Sequence, residues 1–180
     1  MPTTTAIPAT RDAVADRGYL YRSVKQELRD NTLRALMAGE PLFPGIVGYE
    51  DTVEPQVVQA VLAGHDTLLL GLRGQAKTRI LRALPAQLHE YIPVIDHPEV
   101  TLPDDPFHPT TAAGRRVVED KAGDTPVRFL HRADRFQEKL ATPDVTIADL
   151  IGEIDLIKHA EGRYLSDEAT MHFGLVPRSN

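Results

Sequence analysis

The apolar positions in the N-terminal part of the chain follow helical spacing in two places. Across residues 17–37 an apolar side chain recurs about once per helical turn, and Gly39 follows as a stop signal. A shorter apolar face at residues 57–62 is followed by Gly64 and preceded by a capping-box pattern at residues 51–54. The sequence therefore predicts two helices, each ended by a glycine.

The next apolar segments are typical of strands that alternate with helices. The continuous apolar run at residues 67–70 is the pattern of a strand buried in a parallel sheet. A helix is predicted after residue 78, with Pro85 kinking it or ending its regular part. Residues 92–95 form a second candidate strand. This order predicts an α/β fold with a parallel central sheet and flanking helices.

Periodicity is weaker in the second half of the chain. Residues 96–111 contain four prolines and are predicted to form an extended loop or insertion. A helix is predicted at residues 112–120 and a strand at residues 127–131. Residues 145–157 are predicted to hold one or two strands, and residues 166–172 a helical turn.

Composition narrows the class of protein. The 180 residues fit one domain with or without an appendage, and the net charge of −6 argues against a protein that mainly coats nucleic acid. There is no cysteine, which excludes disulfides and thiolate metal sites, and the seven histidines show no His-x-x-x-His spacing. Residues 1–16 are polar and lack the pattern of a signal peptide. We expect a flexible N-terminal tail, no membrane span and a cytoplasmic protein.

One glycine-rich segment carries the candidate chemistry. Residues 71–78 read Gly-Leu-Arg-Gly-Gln-Ala-Lys-Thr, and the P-loop pattern is glycine, any four residues, then Gly-Lys-Ser/Thr. In that pattern the backbone N–H groups of the loop face the phosphates of a nucleoside triphosphate. Lys77 is the predicted catalytic residue, because its charge would neutralise β- and γ-phosphate oxygens. The hydroxyl of Thr78 is the predicted Mg²⁺ ligand.

Ala76 departs from the pattern, because it occupies the position of the second glycine. Alanine adds one methyl group, and we expect it to take the helical conformation of a first turn. A chance glycine turn would also produce such a segment, but the predicted order of strand, loop and helix favours nucleotide binding. The predicted nucleotide-binding residues of the loop are Gly71, Leu72, Arg73, Gly74, Gln75, Ala76, Lys77, Thr78 and Arg79.

An upstream segment extends the pattern. Residues 43–50 read Phe-Pro-Gly-Ile-Val-Gly-Tyr-Glu and precede the second helix and the glycine loop. Together these segments resemble the start of an AAA+ ATPase module, in particular the magnesium-chelatase ATPase subunit and the MoxR-like proteins. In that family an Ile-Val-Gly-Gln stretch packs around the adenine. The resemblance implies ATP and Mg²⁺ as cofactors and base contacts from Ile46, Val47, Gly48 and Tyr49, where Tyr49 replaces the usual glutamine.

A second match lies near the C-terminus. Residues 150–155, 161–164 and 172–180 are similar to the hairpin insert that precedes the Walker B strand in chelatase-type modules. The resemblance implies that the Walker B acids, sensor residues, arginine finger and helical lid would follow Asn180. It therefore predicts an incomplete AAA+ core at residues 41–180, after a flexible tail and N-terminal helix at residues 1–40.

Several charged residues are candidates to replace the missing acids and cations. Asp149 ends the best internal Walker B candidate, but a simple strand end is the favoured interpretation. Glu153 and Asp155 form a carboxylate pair that is expected to stay solvated. Four arginines are expected on solvated helix faces rather than at phosphates or a neighbouring subunit; they are Arg115, Arg116, Arg132 and Arg135.

The resemblance implies the ATP-binding part of a motor ATPase that couples ATP binding and hydrolysis to the remodelling of a partner protein. It also implies a homo-oligomeric ring in the full-length form and a partner with a von Willebrand-type domain, without membrane or direct nucleic-acid binding. Without Walker B the chain is expected to be inactive alone. The alternatives are a nucleotide-binding fragment without turnover and the ATPase module of an AAA+ transcription activator, although no helix-turn-helix or receiver domain is visible.

Overall fold

The computed structural model describes residues 7–154 and 170–179, and it confirms the α/β class. The chain divides into two compact units, which are treated separately below. We call Arg22–Glu90 the loop unit, because it contains the glycine loop, and Met1–Tyr21 with Tyr91–Asn180 the sheet unit.

The helices and strands of both units are named here in chain order. The helices are α1 (Arg11–Ala15), α2 (Val24–Ala38), α3 (Val53–Ala63), α4 (Lys77–Ala83), α5 (Ala112–Lys121), α6 (Arg132–Arg135), α7 (Ile147–Leu150) and α8 (Leu175–Arg178). The strands are β1 (Tyr91–Ile95), β2 (Val127–His131), β3 (Gly152–Ile154) and β4 (Met171–Phe173).

The helix ends in the loop unit follow local capping chemistry. Helix α2 begins after Ser23, which forms a capping box with Gln26, so it starts later than the periodicity predicts. Gly39 and Gly64 end α2 and α3 in the left-handed conformation, at φ 69° and 70°, as predicted. The predicted capping box before α3 is wrong, because Thr52 is the N-cap and its side chain makes no capping hydrogen bond.

A small apolar core holds the loop unit together. Leu42, Phe43 and Ile46 are buried against residues of α2 and α3, and Ile80 brings α4 into the same cluster. Tyr49 and the side chain at position 69 pack against this cluster as partly buried neighbours. The core therefore fixes the segment at residues 43–50 and the first helical turns after the glycine loop within one packed body.

The predicted buried strand at residues 67–70 is wrong. The segment belongs to no strand, and Leu68 and Leu70 are 80% and 84% exposed. A strand exists only where a neighbouring strand satisfies its N–H and C=O groups. All strand pairings among the described residues are antiparallel, and none includes this segment, so the predicted parallel central sheet is not observed there.

Pro85 has the predicted effect. The regular helix α4 stops at Ala83, and a 3₁₀ turn follows at Leu84–Gln87. The turn is joined to α2, because the side-chain amide of Asn31 donates to the carbonyl of Gln87 at 2.7 Å.

The sheet unit is organised around two antiparallel strands. The predicted strands at residues 92–95 and 127–131 are confirmed as β1 and β2, which pair in the register Tyr91 with His131 and Ile95 with Val127. The predicted helix at residues 112–120 is confirmed as α5. The predicted proline-rich loop between β1 and α5 is also observed, and the buried carboxylate of Asp104 anchors it through hydrogen bonds from the backbone and hydroxyl groups of Thr110 and Thr111.

The N-terminal segment contributes structure to this unit. Within the predicted flexible tail, Thr10 caps α1 and forms an antiparallel bridge with Pro126. The backbone N–H of Val127 also donates to the carbonyl of Ala9 at 3.0 Å. The described part of the tail is therefore anchored at the edge of β2.

The C-terminal part of the sheet unit contains a second small sheet. Strands β3 and β4 pair antiparallel, with Glu153 opposite His172. The predicted strand at residues 145–157 is partly wrong, because α7 precedes the short β3. The predicted helical turn at residues 166–172 ends instead in β4, and residues 155–169 lie outside the described part.

Candidate nucleotide-binding loop

Two left-handed residues shape the glycine loop. Gly74 has φ 83°, and Ala76, the N-cap of α4, has φ 52° and ψ 12°. The expectation that Ala76 adopts the helical conformation is therefore wrong. Glycine enters the left-handed region at no steric cost, whereas alanine does so at a cost, since its Cβ approaches the carbonyl oxygen. Position 76 thus takes a left-handed conformation, which suits the glycine that the P-loop pattern has at this position.

The side chain of Gln75 folds back over the start of the loop. Its Oε1 accepts a hydrogen bond from the backbone N–H of Leu72 at 2.8 Å. A Cβ built on Gly71 would lie 2.1 Å from the same oxygen, so a larger residue at position 71 would displace the Gln75 side chain. An acceptor oxygen therefore already lies against a loop N–H, which is the kind of contact a phosphate oxygen would make.

Lys77 also turns into the loop. Its Nζ donates to the carbonyl oxygens of Gly71 and Leu72, at 2.8 and 2.5 Å. The ammonium group therefore lies beside the backbone that the P-loop pattern places around the phosphates. Thr78 follows in the first turn of α4 with an exposed side chain.

The segment that the resemblance assigns to the adenine adjoins this loop. The hydroxyl of Tyr49 donates to the carbonyl of Gln75 at 3.4 Å. Arg79 lies over Gly45, because a Cβ built on that glycine would be 2.7 Å from the guanidinium Nη2. The structure thus brings the segments at residues 43–50 and 71–79 together.

The four residues predicted to contact the base have different environments. Ile46 is buried in the core, whereas Val47 is 84% exposed. Gly48 has φ 86°, and its N–H donates to the carboxylate of Glu50 at 2.8 Å. The exposed side chain of Val47 and the ring of Tyr49 are therefore the apolar groups of this segment that a base could contact.

The local charge at the loop is positive. Arg73, Lys77, Arg79 and Arg82 follow within ten residues, and no acidic residue occurs between Asp66 and Glu90. Such a charge distribution favours a polyanion. In the first turn of α3, desolvation and then the charge of Glu50 raise the pKa of Glu54.

The residues present fit a nucleotide phosphate group better than an independent metal site. In the part of the chain that the structure describes, no group of three or more His, Asp or Glu side chains is arranged to hold a metal ion. Mg²⁺ usually keeps several waters and binds through substrate phosphates with one or two protein ligands. Thr78 would be the protein ligand to a Mg²⁺ that arrives with the nucleotide.

The candidate acids in the sheet unit have other roles. Asp149 lies on α7, not at a strand end, and forms a capping box with Thr146. The backbone N–H of Thr146 is the main reason that the pKa of Asp149 lies below its ordinary value. Glu153 lies on β3 and is exposed, as predicted, while Asp155 lies outside the described residues.

The arginines of the sheet unit differ among themselves. Arg115 and Arg116 are exposed on α5, as predicted. Arg135 is only 2% exposed, so its assignment to a solvated face is wrong. Arg132 on α6 is half-buried.

Sequence reasoning missed the internal contact of Gln75. Its position between Gly74 and Ala76 shows that it belongs to the loop, but the direction of the side chain depends on two left-handed residues that the sequence does not reveal. Propensity alone therefore gave no signal that this side chain would face the loop backbone.

Comparisons with known proteins leave the site to be judged on its geometry. No protein-family model matches the chain, and neither a curated protein nor a solved structure shows significant similarity to it. None of the helices in residues 7–154 and 170–179 has the length and apolar character needed to cross a membrane.

Proposed function

We propose that this chain binds ATP, with its Mg²⁺, through the glycine loop at residues 71–79. The observation that carries the proposal is the position of Lys77. Its ammonium group lies against the carbonyls of Gly71 and Leu72. In the P-loop pattern, the lysine at this position of the sequence binds the phosphates. The cluster of arginines around it supports a polyanionic ligand.

Each predicted residue has a defined task in this proposal. The N–H of Leu72 binds a phosphate oxygen after Gln75 withdraws, and Lys77 places its charge on the β- and γ-phosphates. Thr78 contributes a hydroxyl oxygen to the metal. The base lies against Val47 and Tyr49, next to the loop to which Tyr49 is hydrogen-bonded.

The wider proposal is that the chain is the nucleotide-binding part of a cytoplasmic AAA+ motor ATPase resembling the magnesium-chelatase subunit. In this proposal the protein acts in a homo-oligomeric ring that remodels a partner protein with a von Willebrand-type domain. This part of the proposal rests on the resemblance of residues 43–50 and 71–78 alone.

Nucleotide binding without turnover is the second candidate function. The engagement of Asp149 in a helix cap favours it, because that residue was the best internal candidate for a Walker B acid. Phosphoryl transfer needs an oriented water and a held metal ion as well as phosphate contacts. Steady-state phosphate release should therefore be far slower than roughly 1 s⁻¹, which is the low end of kcat values for kinases.

The binding test is calorimetry with a non-hydrolysable Mg-ATP analogue. Lys77→Ala should weaken binding by about tenfold or more, since hydrogen bonds to charged groups contribute about 1.5–3 kcal/mol. Lys25→Ala is the matched control, because Lys25 lies in the same unit in an exposed ion pair with Asp66. Equal affinity of the wild type and Lys77→Ala would refute the proposal, and so would an equal loss in both lysine variants.

A further inference from the structure

The sheet unit contains a cavity of its own. It has a volume of about 530 Å³ and opens between the N-terminal segment and one face of the β1–β2 sheet. That volume is in the range of small-molecule sites. The lining is mostly aliphatic and aromatic and includes Val14, Tyr19, Tyr91, Pro93 and Phe129. A pocket of this composition suits an apolar ligand.

Backbone hydrogen bonds hold the two walls of the cavity together. The N–H of Val127 in β2 donates to the carbonyl of Ala9 at 3.0 Å, and the N–H of Arg11 donates to the carbonyl of Thr125 at 2.9 Å. These bonds attach the N-terminal segment to the chain beside β2. Val14, in α1 of that segment, is only 3% exposed. The cavity is therefore formed before a ligand binds, as is usual for small-molecule sites.

The register of the sheet places apolar side chains on the opposite wall. Pro93 pairs with Phe129, and Tyr91 precedes Pro93 by two residues in β1, so these three side chains share one face of the sheet. Pro93 is fully buried and forms the floor, whereas Tyr91 is 54% exposed and stands at the rim. A ligand in the cavity therefore lies against two rings of this face, those of Tyr91 and Phe129.

Two of the aromatic rings are held by contacts outside the cavity. The hydroxyl of Tyr19 donates to the carboxylate of Asp105 at 2.6 Å, and its ring packs against Phe107 with centroids 5.4 Å apart. Tyr91 makes an edge contact with His131, with centroids 5.2 Å apart. Tyr19 thus offers its ring and not its hydroxyl to a ligand. Because both rings are oriented in advance, the entropy cost of binding is lower.

The charges at the cavity favour a neutral ligand. No acidic side chain belongs to this lining, which consists of described residues. Arg17 is the charged residue of the lining, but it already takes part in an interaction within the chain. An ionised ligand would lose hydration in the apolar lining without a free partner of opposite charge, which costs free energy. Recognition is therefore assigned to the apolar groups and the rings alone.

We infer that this cavity binds a small, neutral aromatic molecule, with its ring against those of Tyr19, Tyr91 and Phe129. Burial of apolar surface supplies the affinity. Contacts between aromatic rings supply the preference for an aromatic ligand, since each such pair adds roughly 2- to 10-fold in affinity beyond the effect of the buried area. The inference does not depend on nucleotide binding by the glycine loop.

The test uses 2-naphthol as the probe and its saturated analogue decahydro-2-naphthol as the matched comparison. Both compounds are neutral and share one carbon skeleton, but only 2-naphthol is aromatic. Binding is followed by NMR titration of the full chain, with the signals of Val14 and Phe129 reporting the location. The wild type should bind 2-naphthol roughly 10-fold more tightly than the saturated analogue. It should bind the charged compounds 2-naphthoate and 2-naphthylmethylammonium more weakly than 2-naphthol.

Tyr91→Leu tests the ring contact, because it keeps an apolar side chain at an exposed position on the rim. It should reduce the preference for 2-naphthol over the saturated analogue by roughly 2- to 10-fold and leave binding of the saturated analogue nearly unchanged. Tyr21→Leu is the matched control, because Tyr21 belongs to the same unit but stacks on His108 and does not line the cavity. It should change neither affinity.

The inference is overturned if 2-naphthol shifts neither reporter signal, or if the saturated analogue or either charged compound binds the wild type as tightly as 2-naphthol. It is also overturned if Tyr91→Leu keeps the full preference for the aromatic compound. The comparison of the two neutral compounds on the wild type needs no variant, so misfolding of a variant cannot hide the outcome.

Discussion

Replacing Ala76 by glycine tests the most unusual backbone feature of the candidate site. Ala76 is held at φ 52° and ψ 12° between the glycine loop and α4. The only other described non-glycine residue with positive φ is Ala122, at φ 46°. Glycine can adopt the backbone of Ala76 without the contact between Cβ and the carbonyl oxygen that strains alanine. We therefore expect Ala76→Gly to stabilise the folded protein.

The magnitude follows from two opposing terms. The left-handed conformation costs an L-residue about 1–2 kcal/mol, which glycine recovers. Glycine also gains about 0.5–1 kcal/mol of conformational freedom in the unfolded chain, which opposes folding. The free energy of unfolding should thus rise by roughly 0.5–1 kcal/mol. Nucleotide affinity should stay similar or rise modestly, since the substitution keeps the loop conformation and removes no polar contact.

Urea unfolding and calorimetry with the ATP analogue measure the two effects on the same variants. Ala122→Gly is the matched control, because it relieves positive φ at the end of α5 and should stabilise without changing nucleotide affinity. Ala60→Gly, in the interior of α3, should instead destabilise by about 1 kcal/mol. Destabilisation by Ala76→Gly would show that position 76 is not left-handed, and a large loss of nucleotide affinity would refute the alignment of the loop with the P-loop pattern.

Three further predictions concern side chains that the structure shows in specific contacts. Gln75→Ala should tighten binding of the ATP analogue by about 2- to 10-fold, the equivalent of one hydrogen bond, because the phosphate no longer competes with the glutamine for the N–H of Leu72. Weaker binding of the analogue, or the same gain in affinity in the exposed Gln59→Ala control, would contradict this prediction. Asp104→Ala should lower the free energy of unfolding by about 3 kcal/mol or more, since it leaves the donors of Thr110 and Thr111 without their acceptor. Urea unfolding measures the loss, with the exposed Asp120→Ala variant as the control. Burial raises the pKa of Asp105, so the folded state holds its proton longer than the unfolded state and stability falls as pH rises above the ordinary aspartate value of about 3.9. Asp105→Asn removes this penalty, so its stability relative to the wild type should increase between pH 4 and pH 7, and a difference independent of pH would contradict the assignment.

The elements that the sequence predicted correctly depend on local chemistry. Gly39 and Gly64 end helices because glycine alone enters the left-handed region without strain, and Pro85 ends α4 because it lacks an N–H. The strands β1 and β2 were recognisable from short apolar runs bounded by turn residues. The glycine loop was found for the same reason, since its pattern lies within eight consecutive residues.

The errors concern properties that depend on distant partners. The leucines at residues 67–70 have the composition of a buried strand, but burial requires neighbouring strands, and no described strand pairs with them. The same limit applies to Arg135. Its charge indicated a solvated face, but its tertiary surroundings bury it. The sequence pattern predicts a strand end at Asp149, whereas in the structure Asp149 forms a capping box with Thr146 at the start of α7.

The sequence by itself thus determined where helices end and which residues carry the P-loop pattern, because φ preferences, proline and short motifs act over a few residues. Tertiary structure decided which strands pair and that they pair antiparallel, since hydrogen-bond partners for a strand come from remote segments. It also decided that Gln75 and Lys77 fold onto the loop and that Tyr49 reaches it, because these contacts require the core around Phe43 and Ile80 to bring two segments together.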